Sequence, residues 1–188
     1  MKSLPDAFIF MKVGSHAGET FEEIIARKQR EIDIAGVSLW GYGGPTLHPI
    51  RQVQPFARLT LSRTGSIYLL MEPMNSRANP ELLPAKEMSV DGVTWEPLPE
   101  GIRVTGSRYA LVLNRIEPGS LDFDPEQYEV ALGPSTGRAA SEYLRGHVDK
   151  GCFVRRADGL SVPIDSTKKV RTVGFTADLD EPYGVVLR

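Results

Sequence analysis

The chain is poor in cysteine and histidine and contains no long apolar run. One cysteine among 188 residues rules out an intramolecular disulfide. A chain of this size needs no disulfide to fold, so we expect a reducing, cytoplasmic environment. No apolar stretch approaches the ~20 residues that span a bilayer, and the apolar residues 7–11 are too few for an export signal. We therefore expect no membrane partner.

Neither sign of charge is in large excess. Lys and Arg number 22 against 24 Asp and Glu, for a formal net charge of −2. This balance excludes the strong positive field of non-specific DNA-binding proteins. A content of 41% hydrophobic and 24% charged residues is typical of globular proteins and excludes a disordered or coiled-coil chain. The length and the lack of repeats predict a single globular domain over residues 1–188.

One helix has clear start and stop signals. Thr20 and Glu23 have the spacing of a capping box, in which each residue satisfies the other's backbone amide. Apolar residues then recur at helical spacing, and Lys28 lies among them, where its ammonium could snorkel to solvent. Gly36 offers a left-handed stop. The sequence therefore predicts a main helix over about 20–35.

Most other segments have the pattern of β structure, with short apolar runs separated by turns. The predicted strands are 8–13, 37–40, 58–62, 67–71, 88–90, 93–95, 109–116, 128–132, 152–155, 170–175 and 185–187. The third and fourth of these would form a hairpin, and Asp91-Gly92 signals another. A second, shorter helix is expected at about 137–145, whereas a segment at 79–87 is interrupted by Pro84. We expect an α+β fold with a mostly antiparallel mixed sheet, curled or barrel-like, and the main helix packed on it.

The most unusual segment contains three glycines and two aromatic rings. If it is a strand, Trp40 and Tyr42 share one face, while Gly41 and Gly43 leave the other face open to a planar ligand or another backbone. The polar residues that follow and could orient a ligand are Thr46, His48, Arg51, Gln52 and Gln54. The alternative is that both rings pack in the core and the glycines only form a loop.

A second candidate site precedes the second helix. Ser135, Thr136 and Arg138 would surround free amides at a helix start and form a cradle for phosphate or carboxylate. Helix capping alone is the alternative. Residues 14–18 also join a strand to a helix, but the acids that begin at Glu19 would repel a phosphate, so we expect no nucleotide site there.

Metal and nucleophile chemistry has few candidates. His147, Asp149 and Cys152 could supply three zinc ligands, but no fourth is evident. A cysteine ahead of an apolar strand is more typical of a buried small hydrophobe than of a nucleophile. The acids in residues 122–126 depart from an EF-hand loop and suit a solvated turn. We expect no metal and no cofactor.

Basic residues cluster modestly at Arg155-Arg156, in residues 168–171, and around Arg103 and Arg108. If they lined one groove with aromatic rings, single-stranded nucleic acid could stack there and be held by its backbone. Alternating charges on exposed strand faces are the simpler interpretation, because such charges prevent edge-to-edge aggregation.

Residues 8–12 (FIFMK) and 20–24 (TFEEI) are similar to the opening of EVE domains. In these small PUA-like barrels an aromatic strand that ends in lysine leads into the first helix. The acidic-proline pair that usually follows the lysine is replaced here by Val13-Gly14. The family is associated with recognition of modified bases through an aromatic pocket, so the resemblance implies a base-binding alternative.

The leading interpretation is a cytoplasmic domain that binds a planar small molecule, anionic or neutral, or a nucleotide-like group through the aromatic, glycine-rich loop. Its expected ligand-binding residues are Trp40, Tyr42, Gly43, Arg51, Ser135, Thr136 and Arg138. One alternative is a small hydrolase or transferase with His48 as general acid or base, since an imidazole titrates near neutral pH. Another is a PUA- or EVE-like module for nucleic acid or a modified base. A homodimer is left open.

Overall fold

A computed structural model describes residues 4–16, 18–43, 48–75, 82–145, 148–157 and 170–188. These residues form an α+β fold of three α-helices and nine strands, with one short 3-10 helix at Pro125–Gln127. The helices are α1 (Phe21–Ala35), α2 (Ile50–Thr64) and α3 (Ala140–Tyr143). The strands are β1 (Ala7–Val13), β2 (Ser38–Gly43), β3 (Tyr68–Pro73), β4 (Glu87–Ser89), β5 (Glu96–Pro97), β6 (Tyr109–Phe123), β7 (Tyr128–Val130), β8 (Lys150–Arg155) and β9 (Arg171–Leu187).

The strands form a mixed sheet in the order β2-β6-β9-β3-β1-β8-β7, and the small β4–β5 pair joins it through β9. β1 and β3 run parallel, with Ile9 opposite Leu69. The other pairs along this path are antiparallel. The expected α+β class with a mostly antiparallel sheet is therefore confirmed.

The sheet curls so that its edge strand β2 approaches strands β1 and β8 near the other edge. The Tyr42 hydroxyl of β2 lies 3.2 Å from the carbonyl oxygens of both Phe10 and Gly151. Trp40 Nε1 donates to the sulfur of Met11 across 3.2 Å. Among the described strands no ladder joins β2 to β1 or β8, so the sheet is not closed into a barrel. Side chains bridge this open seam in place of backbone hydrogen bonds.

Helix α1 has the termini that the sequence predicts. The Thr20 amide donates to Glu23 Oε2 at 2.7 Å, and the Glu23 amide donates to Thr20 Oγ1 at 3.3 Å. Gly36 ends the helix in the left-handed conformation, with φ of 76°. A side chain is strained at such a φ, so glycine suits this stop. The capping box and the main helix are confirmed.

Helix α2 replaces a predicted strand. Residues 58–62 alternate polar and apolar side chains, which favours a strand, but they belong to α2. Its buried residues Val53, Phe56, Ala57 and Thr60 follow the helical spacing of three and four. The strand predicted at 58–62 is therefore wrong, and so is its hairpin, because β3 pairs with β1 and β9.

Three further elements differ from expectation. The second helix covers only 140–143, because Gly137 is left-handed with φ of 82° and cannot start a helix there. Residues 93–95 are not a strand. The strands expected at 170–175 and 185–187 are parts of the single long β9. Of the segment 79–87, where Pro84 interrupts a helical pattern, residues 79–81 lie outside the described residues and residues 82–87 are not helical.

Apolar side chains are buried on both faces of the sheet. One face contacts α1 and α2, and its cluster includes Trp40, Tyr42 and Tyr109. The other face holds an aromatic cluster of Phe8, Phe10, Phe123, Tyr128 and Phe153, with Ala140 of α3. In the described part of the chain, no helix is both long and apolar enough to cross a membrane.

Candidate functional site

A cavity of about 440 Å³ lies at the open seam of the sheet. Strands β1, β2 and β8, helix α1, residues 14–16 and residues 103–107 surround it. The lining residues with apolar side chains are Met11, Val13, Ile24, Trp40, Met74, Leu82 and Val104. The charged lining residues are Lys12, Arg27, Lys28, Arg103, Asp149 and Lys150. The cavity therefore combines an apolar surface with an excess of positive charge.

Trp40 and Met11 form the aromatic and thioether part of this surface. Trp40 is 4% exposed and belongs to the core, so only a small part of its indole is accessible. Met11 is opposite Lys150 in the antiparallel β1–β8 register, which places both side chains on the same face of the sheet. The apolar surface and the ammonium are therefore adjacent.

Lys150 is a half-buried cation of the cavity wall. Its Nζ lies 5.8 Å from the centroid of the Tyr42 ring. Within the described ranges, no carboxylate forms an ion pair with it. Burial lowers the pKa of the Lys150 ammonium, and the nearby charge of Asp149 offsets this in part. A partly buried ammonium without a carboxylate partner favours an anionic ligand.

Two other cations of the wall belong to a buried ion network on α1. Lys28 is 4% exposed and Glu31 is 2% exposed. Lys28 Nζ donates to Glu31 Oε2 at 2.8 Å and to the Leu39 carbonyl at 2.5 Å. Arg27, the residue before Lys28 in the helix, donates to Glu31 Oε1 at 2.8 Å. Lys28 Nζ also donates to the Arg103 carbonyl at 2.9 Å, so its partners lie on three segments and the ammonium does not snorkel to solvent. Burial lowers the pKa of Lys28 to about 8.

Residues 103–107 form another part of the cavity wall, and they approach β2 closely. A Cβ on Gly41 would lie 2.5 Å from Ser107 Oγ, so a larger residue there would displace the wall. Thr105 Oγ1 lies 3.3 Å from His16 Nε2, which joins this wall to residues 14–16. Gly41 thus matters for the close approach that the sequence predicts, although the group that approaches is a protein side chain.

Residues 14–16 line the cavity. The sequence predicts no nucleotide site at this segment, because acidic residues follow it. Glu19 makes an ion pair with Arg27 at 2.8 Å, and the hydrogen bond from Arg27 lowers the pKa of Glu19. Its charge is therefore largely neutralised by a cation of the same wall. Glu22 is exposed on α1, and Glu23 caps the helix.

Of the expected ligand-binding residues Trp40, Tyr42, Gly43 and Arg51, Trp40 alone lines the cavity, beside Gly41. Thr46 lies outside the described residues. Tyr42 is fully buried, and its hydroxyl bridges the seam. Gly43 packs so closely on the Tyr109 ring that a Cβ would overlap it. Arg51 is exposed at the start of α2 and is not part of the lining. Both aromatic rings thus pack in the core, and Trp40 also borders the cavity.

His48 is 6% exposed and lies outside the lining. Its Nε2 is 3.1 Å from the Tyr143 hydroxyl, whereas its Nδ1 has no hydrogen-bond partner. Burial, followed by the charge of Lys150, lowers the pKa of the ring. Its φ of 49° is unusual for a residue with a side chain. His48 therefore is a buried, neutral imidazole near neutral pH.

The residues of the second candidate site line a separate hollow. Ser135 and Arg138 lie there with Glu142, Tyr143 and Arg145. Arg138 pairs with Glu142 at 3.3 Å, which offsets its charge. Thr136 Oγ1 donates to the Gly133 carbonyl at 2.7 Å. Since α3 begins at Ala140 without a side-chain cap, these hydroxyls neither cap it nor join the cavity at Trp40.

Cys152 is buried in the core and offers no exposed nucleophile. Burial raises the pKa of its thiol well above the ordinary value. His147 lies outside the described residues, and among the described ones no three potential ligands gather around a metal position.

We expect a disulfide reagent such as DTNB to leave Cys152 unmodified in the native protein at pH 8 and to release one equivalent of thiolate after unfolding in urea. The reason is that thiolates react and buried thiols stay protonated. The chain has one cysteine, so the absorbance reports this thiol alone. Rapid native-state labelling would contradict the buried position.

Two basic residues of the nucleic-acid alternative form ion pairs with carboxylates. Arg155 forms an ion pair with Asp6 at 2.8 Å, and Arg171 pairs with Glu72 at 2.8 Å. Residues 168 and 169 lie outside the described residues. Arg103 lines the cavity at the seam.

No family model, curated protein or solved structure matches this chain. The resemblance of residues 8–12 and 20–24 to EVE domains therefore stays a prediction.

Proposed function

We propose that this chain binds a small planar organic anion in the cavity at the open seam of the sheet. The observation that carries the proposal is the ammonium of Lys150, which lies in the cavity wall with the Tyr42 ring as its close partner. Removing a charge from water costs free energy unless an opposite charge compensates it. An anionic group of a ligand would supply that compensation.

The apolar surface beside Lys150 supports a planar group on the same ligand. Trp40 offers the accessible part of its ring, and aromatic pairs are favourable edge-to-face as well as stacked. The Met11 thioether adapts to the shape of its neighbours and packs well on ring edges. Lys150 and Met11 are directly opposite in the β1–β8 register, so one compact molecule can contact both.

The proposal also includes the expected reducing, cytoplasmic location, which the free, buried thiol supports. The hydrolase or transferase alternative has less support, because a substrate in this cavity would not meet the ring of His48. Ion pairs on Arg155 and Arg171 likewise give no support to a continuous basic groove for nucleic acid.

Binding of planar anions should depend on Lys150. The probes are the four 5′-ribonucleoside monophosphates and benzoate, with the four nucleosides and benzamide as neutral counterparts. We expect at least one anion to quench Trp40 fluorescence in a Trp95→Phe background, more strongly than its neutral counterpart. Lys150→Met should weaken this binding about ten- to hundredfold, because a charge-assisted hydrogen bond contributes about 1.5–3 kcal/mol.

Two variants control for this effect. Lys150→Arg keeps the charge and should retain most of the affinity, whereas Arg51→Met removes an exposed cation outside the cavity lining and should change little. The proposal is wrong if none of the anions binds at millimolar concentration. It is also wrong if Lys150→Met binds like the wild type, or if Arg51→Met loses as much affinity as Lys150→Met.

A further inference from the structure

We infer that Glu31 is a positioning residue for the cavity, because its ion network fixes the backbone of Arg103 against α1 and so sets the position of residues 103–107 in the cavity wall. This inference rests on the proposed function. Glu31 does not line the cavity, so its effect on a ligand must pass through the residues that it holds.

The Arg103 peptide groups have three hydrogen bonds to α1. The Arg103 amide donates to Glu31 Oε1 at 3.1 Å. The Arg103 carbonyl accepts from Lys28 Nζ at 2.9 Å and from Arg27 at 3.1 Å. Both of these cations also contact Glu31 at 2.8 Å. Glu31 thus binds Arg103 directly and orients the two cations that bind it.

Glu31 also joins the network to β2. Its Oε2 accepts a hydrogen bond from Ser38 Oγ at 2.6 Å, and Lys28 donates to the carbonyl of Leu39. Trp40 follows directly in the same strand. The network therefore holds β2 and the Arg103 segment to one helix, and both segments line the cavity. Residues that line a binding cavity keep a fixed geometry when hydrogen bonds from the residues behind them hold them in place.

Residues 103–107 are also hydrogen-bonded to residues 83–85. The Ala85 amide donates to the Val104 carbonyl at 2.8 Å, and the Gly106 amide donates to the Leu83 carbonyl at 3.2 Å. These bonds do not involve α1. Loss of the network should therefore release residues 103–107 from α1 and leave the wall attached to residues 83–85. The expected result is a displaced wall in a folded protein, with lower affinity for a ligand that needs a preorganised cavity.

The test compares a fold-preserving double variant with a helix control. Lys28→Met combined with Glu31→Leu removes both buried charges, so neither is left without a partner, and apolar replacement of a buried ion pair is often neutral for stability. Because Lys28 itself lines the cavity, Lys28→Met alone is a second control, which removes this charge and leaves the bonds of Glu31 to Arg27, Ser38 and the Arg103 amide. Thr20→Ala removes the N-cap and destabilises the same helix without contact to Arg103. For each we would measure amide hydrogen exchange of residues 103–107 and the affinity for the planar anion that binds the wild type best.

We expect the double variant to exchange the amides of 103–107 about tenfold faster than the wild type, with the amides of β6 and β9 unchanged. We expect its affinity for the probe to fall about tenfold or more below that of Lys28→Met. Thr20→Ala should change neither quantity while the protein is folded. A purely structural network would lower the unfolding midpoint and leave the affinity of the folded protein unchanged.

Three outcomes overturn the inference: unchanged exchange in the double variant, faster exchange with unchanged affinity, or equal losses in Thr20→Ala. Failure of the proposed function gives a different result, since no anion would then bind the wild type. The exchange measurement needs no ligand, so it still shows whether the network holds residues 103–107.

Discussion

Replacing Glu31 with alanine is expected to lower the free energy of unfolding by about 3–5 kcal/mol, because it leaves buried charge without compensation. Glu31 is 2% exposed and accepts hydrogen bonds from Arg27, Lys28, Ser38 and the Arg103 amide. The substitution removes all four acceptor contacts at once. Urea denaturation followed by intrinsic fluorescence would measure the change.

Glu142→Ala is the matched control. Glu142 also pairs with an arginine at the helical i,i+4 spacing, but both side chains of this pair are more than half exposed. Exposed pairs contribute about 0–1 kcal/mol, so the control should unfold near the wild-type midpoint. Equal losses for Glu31→Ala and Glu142→Ala would show that the α1 network carries no special share of the stability.

The contrast between α1 and α2 shows which parts of the fold are encoded locally. The ends of α1 depend on Thr20, Glu23 and Gly36, which lie within the helix or beside it, so a short window of sequence is enough to predict it. Helix α2 begins after Pro49 without a side-chain cap and contains Pro55. Its alternating residues 58–62 suit a strand equally well, and only packing against β9 separates the two.

The candidate site could be predicted only in part, for a similar reason. The unusual composition around Trp40 directs attention to β2, and Trp40 is among the residues that line the cavity. The role of Tyr42 depends on the curl of the sheet, which brings β1 and β8 to β2. Glu31 and Arg103 are 72 positions apart. Lys150, whose ammonium lies over the Tyr42 ring, is also distant from Tyr42 in the sequence. Local pattern gives no signal for such pairs.

Trp40→Ala is expected to lower the free energy of unfolding by about 3–5 kcal/mol, as for other large-to-small changes of buried aromatic residues. The side chain is 4% exposed, packs in the main core and donates to Met11 across the seam. Its removal would leave a void where no strand ladder holds the sheet together. Urea denaturation followed by circular dichroism suits this variant, because the fluorescence of the remaining indole at Trp95 differs from that of the wild type.

This expected cost changes how Trp40 should be used to test binding. Loss of binding in Trp40→Ala would not distinguish a missing contact from a collapsed cavity, whereas Trp40→Phe keeps a ring on the core side and removes the indole N–H and its edge. We expect Trp40→Phe to be more stable than Trp40→Ala and to weaken planar anions more than inorganic phosphate, which has no ring to contact the site. A midpoint for Trp40→Ala equal to that of the wild type would instead mean that the indole contributes little to the seam, and its position beside the cavity would then matter for ligand contact alone.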